Sequence, residues 1–317
     1  MQSVPIPELS LAPVPVTDPL SAPSPAKEPA VGSPLVGIGL MLLACFLFSG
    51  LDATAKYLSQ SVSPLQIVWV RFLSHVVLAV FFFRLWQRPE ALRPKRRLLQ
   101  VVRAFTLLCT TIFNFLAVQY LQLAETMSIL FAAPFMVTAL AGPLLGEWAG
   151  VRRWAAIIVG FCGVLLVTQP WSGQMHWAVI YSVCAMVSYA FYMLLTRMLA
   201  PTESSISLLM VSGVVAAIAM TPAGLMSWQA PESLFHWGLL LSTGVYGLVG
   251  HWILIVAHRM APASLLAPFL YVQIIWMVIL GYLVFDDIPG WSTVAGASVV
   301  VASGLYILFR EQVLRKR

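Results

Sequence analysis

Chemistry in this chain has to come from few side chains, because Asp, Glu, Lys and Arg make up only 9% of its 317 residues. The informative ones lie inside long apolar runs: Asp52, Lys56, Arg71, His75 and Arg103, with Asn114 beyond them. A charged group in hydrocarbon costs roughly 2.5–3.5 kcal/mol even on a lenient insertion scale, so each should face a bundle interior and have a partner. Taking each run as a helix, Asp52 lies about 9 Å from the end of its run and Arg71 about 10 Å into the next. Matching depth on consecutive antiparallel helices predicts an Asp52–Arg71 pair, or a network that includes Lys56 one turn away. The two residues either contact a substrate directly or pair structurally. His75 lies one turn from Arg71 on the same face. It is either a proton carrier, since imidazole titrates near neutrality, or a neutral partner of a neighbouring helix.

Arg103 sits near the start of its run, where it either snorkels to the headgroups or turns inward. Asn114, eleven residues on, is nearly eclipsed with it, so the two should line one face of a cavity. In the second half the polar residues set inside their runs are Tyr192, His251, Tyr271 and Gln273, which places them on a cavity wall rather than in an interfacial belt. Glu125 opens a run and suits a helix N-terminus. The glycines 244, 247 and 250, and Gly142 and Gly146, suit close helix packing.

These side chains need elements to carry them, and the composition says which. The chain is 60% hydrophobic, against about 45–50% for a soluble domain, whose charged share is about 25%. A soluble enzyme, a disordered protein and a nucleic-acid-binding domain are excluded. Ten apolar runs near bilayer-spanning length fall at about 35–58, 64–86, 99–121, 124–145, 152–169, 176–196, 206–225, 236–257, 263–285 and 291–309. Pro64, Pro170, Pro201, Pro231, Pro262 and Pro289 punctuate them. Residues 1–34 hold nine of the 21 prolines and read as a disordered, cytoplasmic tail without the basic start and apolar stretch of a secretory signal. Residues 311–317 form a short basic tail.

Cytoplasmic loops carry the excess of Lys and Arg. With ten spans and both termini inside, fifteen of the 18 basic residues fall on one side, and the three left over are Lys56, Arg71 and Arg103. The net charge of +6 is therefore a topology signal. The expected fold is all-α and integral to the membrane: ten transmembrane helices as two inverted five-helix repeats, residues 35–169 and 176–310. Glu147 and Asp287 occupy matching places in the two halves, each ahead of a small residue, Gly163 in one and Ser303-Gly304 in the other. Inverted repeats of this kind place a substrate site near the midplane.

No GxxxxGK[ST] loop or HExxH is present, and Cys45, Cys109, Cys162 and Cys184 show no metal-ligand spacing. Neither a catalytic set, a metal nor a cofactor is expected. Residues 35–310 resemble the drug/metabolite transporter superfamily, EamA-type branch. The resemblance is carried by Lys56-Tyr57-Leu58, Arg71, Arg103, Leu145-Gly146-Glu147 before Gly163, and Ala263-Ser264-Leu265-Leu266-Ala267-Pro268 leading to Tyr271. It implies secondary transport of a small organic molecule by alternating access across a bacterial inner membrane, in import or export, as a monomer or homodimer, coupled to a proton or ion gradient or to exchange. Within the family the Tyr271–Asp287 region is similar to riboflavin and S-adenosylmethionine transporters. The expected binding or gating residues are Asp52, Lys56, Arg71, His75, Arg103, Asn114, Tyr192, His251, Tyr271 and Gln273. The rival classes are a membrane-embedded enzyme on lipid-linked substrates, for which no acidic or histidine cluster is found, and a non-transporting scaffold.

Overall fold

A computed structural model describes residues 33–87, 94–146, 150–173 and 175–315. The tail over 1–32, Glu147 and the C-terminal pair Lys316-Arg317 lie outside the described residues, so the Glu147–Asp287 correspondence does too.

The described chain is helical throughout: α1 (Pro34–Leu58), α2 (Pro64–Phe82), α3 (Arg97–Tyr120), α4 (Leu123–Leu130), α5 (Ala133–Leu145), α6 (Val151–Thr168), α7 (Val179–Leu199), α8 (Ser205–Met226), α9 (Leu234–Met260), α10 (Ala263–Leu270), α11 (Val272–Phe285) and α12 (Trp291–Arg315). Ten spans among the described residues are long and apolar enough to cross a membrane. Helix starts follow local chemistry. Pro34 and Pro64 open α1 and α2, where a missing N–H costs nothing. Ser204 and Ser233 cap α8 and α9 by accepting from the backbone N–H of Ser207 and His236. Gly146, with φ of 73°, ends α5 in the left-handed conformation. No atom of the described residues lies within 4 Å of its Cβ position; among them it serves as a helix stop.

Two spans are not single helices. The fourth is α4 followed by α5, and the ninth is α10 followed by α11. At each break the backbone bonding tightens to residues three apart. Ala132 donates to Ile129 and Phe135 to Ala132 in one; Tyr271 donates to Pro268 and Ile274 to Tyr271 in the other. Pro134 in the first turn of α5 and Pro268 within α10 each remove a helix donor. Spans four and nine occupy the same place in the two halves, so the breaks are themselves a mark of the repeat.

Packing shows the repeat more directly. The packed pairs include α1 with α9, α3 with α7, α2 with α8, α6 with α12, and α4 with α11. In span numbers these are 1 with 8, 3 with 6, 2 with 7, 5 with 10 and 4 with 9. Adding five to each number, modulo ten, maps this set onto itself, as an internal two-fold requires. Five spans per half is odd, so the halves run in opposite directions through the membrane. Backbone meets backbone at 5 with 10: a Cβ on Gly163 would meet the Gly296 carbonyl oxygen at 2.9 Å, and one on Gly296 would meet that of Gly163 at 2.5 Å. Gly163 thus faces Gly296, and Ser303 donates to the Ala156 carbonyl at 2.5 Å. Gly244 and Gly250 of α9 admit Ser74 of α2 and Phe48 of α1 respectively, the close packing anticipated for that run.

Candidate functional site

The bundle has two ends. One carries Arg96, Arg97, Arg152, Arg153, Arg197 and Arg259 and is called here the basic end. The other, the far end, carries the turns at 59–63, 121–122, 227–233 and 286–290.

Two cavities run between them. The first, of about 390 Å³, includes His258 and Arg259 in its lining and continues inward past Glu203, Thr196, Ser212, Tyr192, Arg103 and His75. His258 and Arg259 are exposed, so this cavity reaches the surface at the basic end. The second, of about 320 Å³, is central and is walled by Phe48, Asp52, Asn114, Phe131, Tyr189, Tyr271 and Gln273 among others. Three residues belong to both: Arg71, Leu107 and His251. They form the neck. Volumes of this size suit a small organic molecule.

On α3 the lining residues Arg103, Leu107, Thr111 and Asn114 make one stripe, as their spacing required. Arg103 and Asn114 nevertheless open into different cavities, about 16 Å apart along the axis. Arg103 does not snorkel. Its Nε donates to Thr196 Oγ1 at 2.7 Å, Nη1 to Ser212 Oγ at 2.8 Å and to the Leu208 carbonyl at 3.1 Å, and Nη2 to the Tyr192 hydroxyl at 2.9 Å. It is 5% exposed. The side chains of α7 and α8 provide the acceptors that outweigh the pull of the headgroups.

Asn114 Nδ2 donates to Asp52 Oδ1 at 2.9 Å. Arg71 lies in the neck, its guanidinium carbon 4.6 Å from the Phe72 ring centroid and 6.0 Å from that of Phe115. Its Nη1 reaches Thr111 Oγ1 at 3.4 Å, and its buried Nε has no acceptor among the described residues. The expected Asp52–Arg71 ion pair is absent among the described residues: both face the central cavity without a direct contact. The reason is packing, since α1 lies mainly against α9 and α11 and touches α2 little.

Lys56 is likewise not part of an Asp52 network. Its Nζ lies 2.6 Å from Asp287 Oδ2 and donates to the Leu121 carbonyl at 3.0 Å, while sitting 4.9 Å from the Phe285 ring centroid. This ties the end of span one to the end of span nine and to the turn after span three, at the far end. Asp287 was visible only as a repeat landmark; no sequence signal pointed to its partner.

His75 is buried against the first cavity, with Nε2 lacking a partner among the described residues. His251 packs edge-on to Phe48 at 5.0 Å. Tyr271 stands at the break of span nine and meets Phe131, at the break of span four, edge to face at 5.0 Å. The two broken spans therefore touch at the central cavity. Gln273 is buried there too. Phe131, Tyr189 and Thr111 are wall residues the sequence reading missed. Two of them are ordinary apolar-run aromatics, and only the span breaks and helix azimuths single them out. Glu125 occupies the first turn of α4, where its charge suits the helix N-terminus.

The model of the EamA-like transporter family matches this chain twice, over residues 35–169 and 176–309. An S-adenosylmethionine uptake transporter of Rickettsia bellii is 27% identical over 87% of this chain and 94% of its own length. A riboflavin transporter of Vibrio cholerae is 25% identical over 86% and 93%. A pseudopaline exporter of Pseudomonas aeruginosa is 25% identical over 84% and 94%. A solved crystal structure shares the fold with a TM-score of 0.62 at 15% identity, over 87% of this chain and 98% of the other.

Proposed function

The chain belongs to the EamA-like transporter family, and from that premise we propose that it is a secondary transporter working by alternating access in a bacterial inner membrane. It is a multi-pass membrane protein of a transporter family that handles small metabolites, and not an enzyme. One observation carries the finer reading. The cavities joined at Arg71, Leu107 and His251 open at the basic end, while Lys56–Asp287 ties the far end. Basic loops face the cytoplasm, so on this reading the path is open inward, and the Lys56–Asp287 contact, at the base of a surface hollow, is the outward gate. Opening outward requires the Lys56–Asp287 contact to part and the basic-end cavity to close. The broken spans four and nine, meeting at Phe131 and Tyr271, are the elements able to bend at mid-depth.

The binding residues on this reading are Asp52, Arg71, Asn114, His251, Tyr271 and Gln273. Arg103 and Tyr192 hold the wall of the inward vestibule, and Lys56 gates the far end. Aromatic walls suit a flat ring, and relatives named for riboflavin and S-adenosylmethionine put a vitamin or nucleoside-like compound first. Export is the second reading, favoured by the pseudopaline exporter among the relatives; the path serves either direction. The test is purified protein in liposomes, offered a metabolite panel that includes riboflavin and S-adenosylmethionine. Saturable accumulation or exchange of a panel solute is expected. Its absence under every imposed gradient, in protein that remains folded, overturns the reading.

A further inference from the structure

Opposite charges share the central cavity, near enough to feel one another but without a direct contact among the described residues. Asp52 takes one hydrogen bond, from Asn114 to Oδ1, and its second oxygen takes none from the described residues. Arg71 has five N–H donors to place. It makes one long hydrogen bond, at 3.4 Å, with Thr111, and its Nε is buried with no acceptor among the described residues. The side chain is 6% exposed and flanked by Phe72 and Phe115. Arg103 shows what a structural arginine looks like in this fold: four acceptors, three side-chain hydroxyls and one carbonyl, surround it. Arg71 has been left incomplete at the neck of the path.

A guanidinium removed from water with its fork unused is costly unless something completes it. A carboxylate does so with two parallel bonds. The open oxygen of Asp52 calls in the same way for a cationic donor. The rest of the wall is mostly apolar or aromatic, Phe48, Phe115, Phe131, Tyr189 and Tyr271 among it, with Thr110, His251 and Gln273 as further polar groups but no further charged side chain. We propose that the central cavity takes a substrate with an amino-acid-type zwitterionic head, its carboxylate on Arg71 and its ammonium on Asp52 and Asn114, with the body along the aromatic wall. An uncharged solute would offer neither group an opposite charge. The inference rests on the transporter reading and narrows its substrate class.

The test measures binding to purified protein of three matched solutes: S-adenosylmethionine, its decarboxylated form and its deaminated 2-oxo form, with riboflavin as an uncharged comparison. Wild-type protein should bind the intact head at least about tenfold more tightly than either truncated form, the effect of one charge-assisted hydrogen-bonding group. Arg71→Gln should erase the advantage of the carboxylate while leaving affinity for the decarboxylated form unchanged. Asp52→Asn should erase the advantage of the ammonium only. Should Arg71→Gln not fold, Arg71→Lys, which keeps the charge, must retain a preference for the carboxylate. Equal affinity of the three forms for wild-type protein overturns the inference. So does equal loss of all three in a variant with an unchanged melting temperature. Exchange of riboflavin with no binding of any charged-head solute overturns it too, and leaves the transporter reading standing. Failure of the whole panel to exchange counts against transport itself.

Discussion

Lys56 Nζ lies 2.6 Å from Asp287 Oδ2, joining the last turn of span one to the chain just past span nine. The two side chains are 13% and 25% exposed, so solvent screens the pair and its contribution is about 1 kcal/mol or less. Asp287→Asn should therefore shift the balance toward the outward-open form by roughly fivefold at most, without unfolding the protein. With Thr111→Cys reporting from the central cavity, labelling by an impermeant thiol reagent applied at the far side should rise within that range. Unchanged labelling would show that the contact does not hold the far end shut.

Arg103 fixes α3 to α7 and α8 through Thr196, Tyr192 and Ser212. Arg103→Leu removes the charged donor that joins these acceptors across three helices, leaving Ser212 and Thr196 only their bonds to the Leu208 and Tyr192 carbonyls on their own helices. The expected loss is about 2–4 kcal/mol, seen as a lower melting temperature of the purified protein. Arg103→Lys should lose less, because an ammonium keeps the charge but cannot span the same acceptors.

Glycine packing separates two positions on one helix. At Gly244 a Cβ would press on the Ser74 side chain and come within 2.8 Å of the His75 backbone nitrogen; at Gly238 nothing lies within 4 Å. Gly244→Ala should destabilise by about 1–3 kcal/mol and weaken transport, since His75 and Arg71 neighbour that contact. Gly238→Ala should be neutral or slightly stabilising, as helix propensity favours alanine. Equal melting temperatures for the two variants would contradict the α2–α9 packing.

Orientation follows from the loops. In a background lacking the four native cysteines, Gln60→Cys should react in intact cells with a membrane-impermeant thiol reagent, and Ser204→Cys only after the membrane is opened. The reverse pattern would invert the inward-open assignment.

The ten spans were legible because hydrocarbon thickness, proline placement and the sidedness of Lys and Arg each act on local sequence. The site was legible only by depth. Asp52, Arg71, Asn114, His251, Tyr271 and Gln273 were found because a polar group in an apolar run is costly, and all six do line the central cavity. Who meets whom was not legible. Depth fixes height along the membrane normal but not azimuth. Consecutive helices α1 and α2 barely touch, while α1 and α9, two hundred residues apart, pack along their lengths. Lys56 thus found Asp287 instead of Asp52, and Arg103 found α7 and α8 instead of the headgroups. The breaks in spans four and nine left only Pro134 and Pro268 as traces, and proline alone does not say whether a helix kinks or stops.

The central claim is that the far end must open for a solute to cross. It is tested most directly by exchange in proteoliposomes of the Lys56→Cys/Asp287→Cys protein, in a background lacking the four native cysteines, bridged by a bifunctional thiol reagent with a reducible linker. Exchange of the panel solute carried by the unbridged protein should stop on bridging, return on reduction, and survive a monofunctional reagent of the same size. Undiminished exchange through the bridged protein would contradict the account.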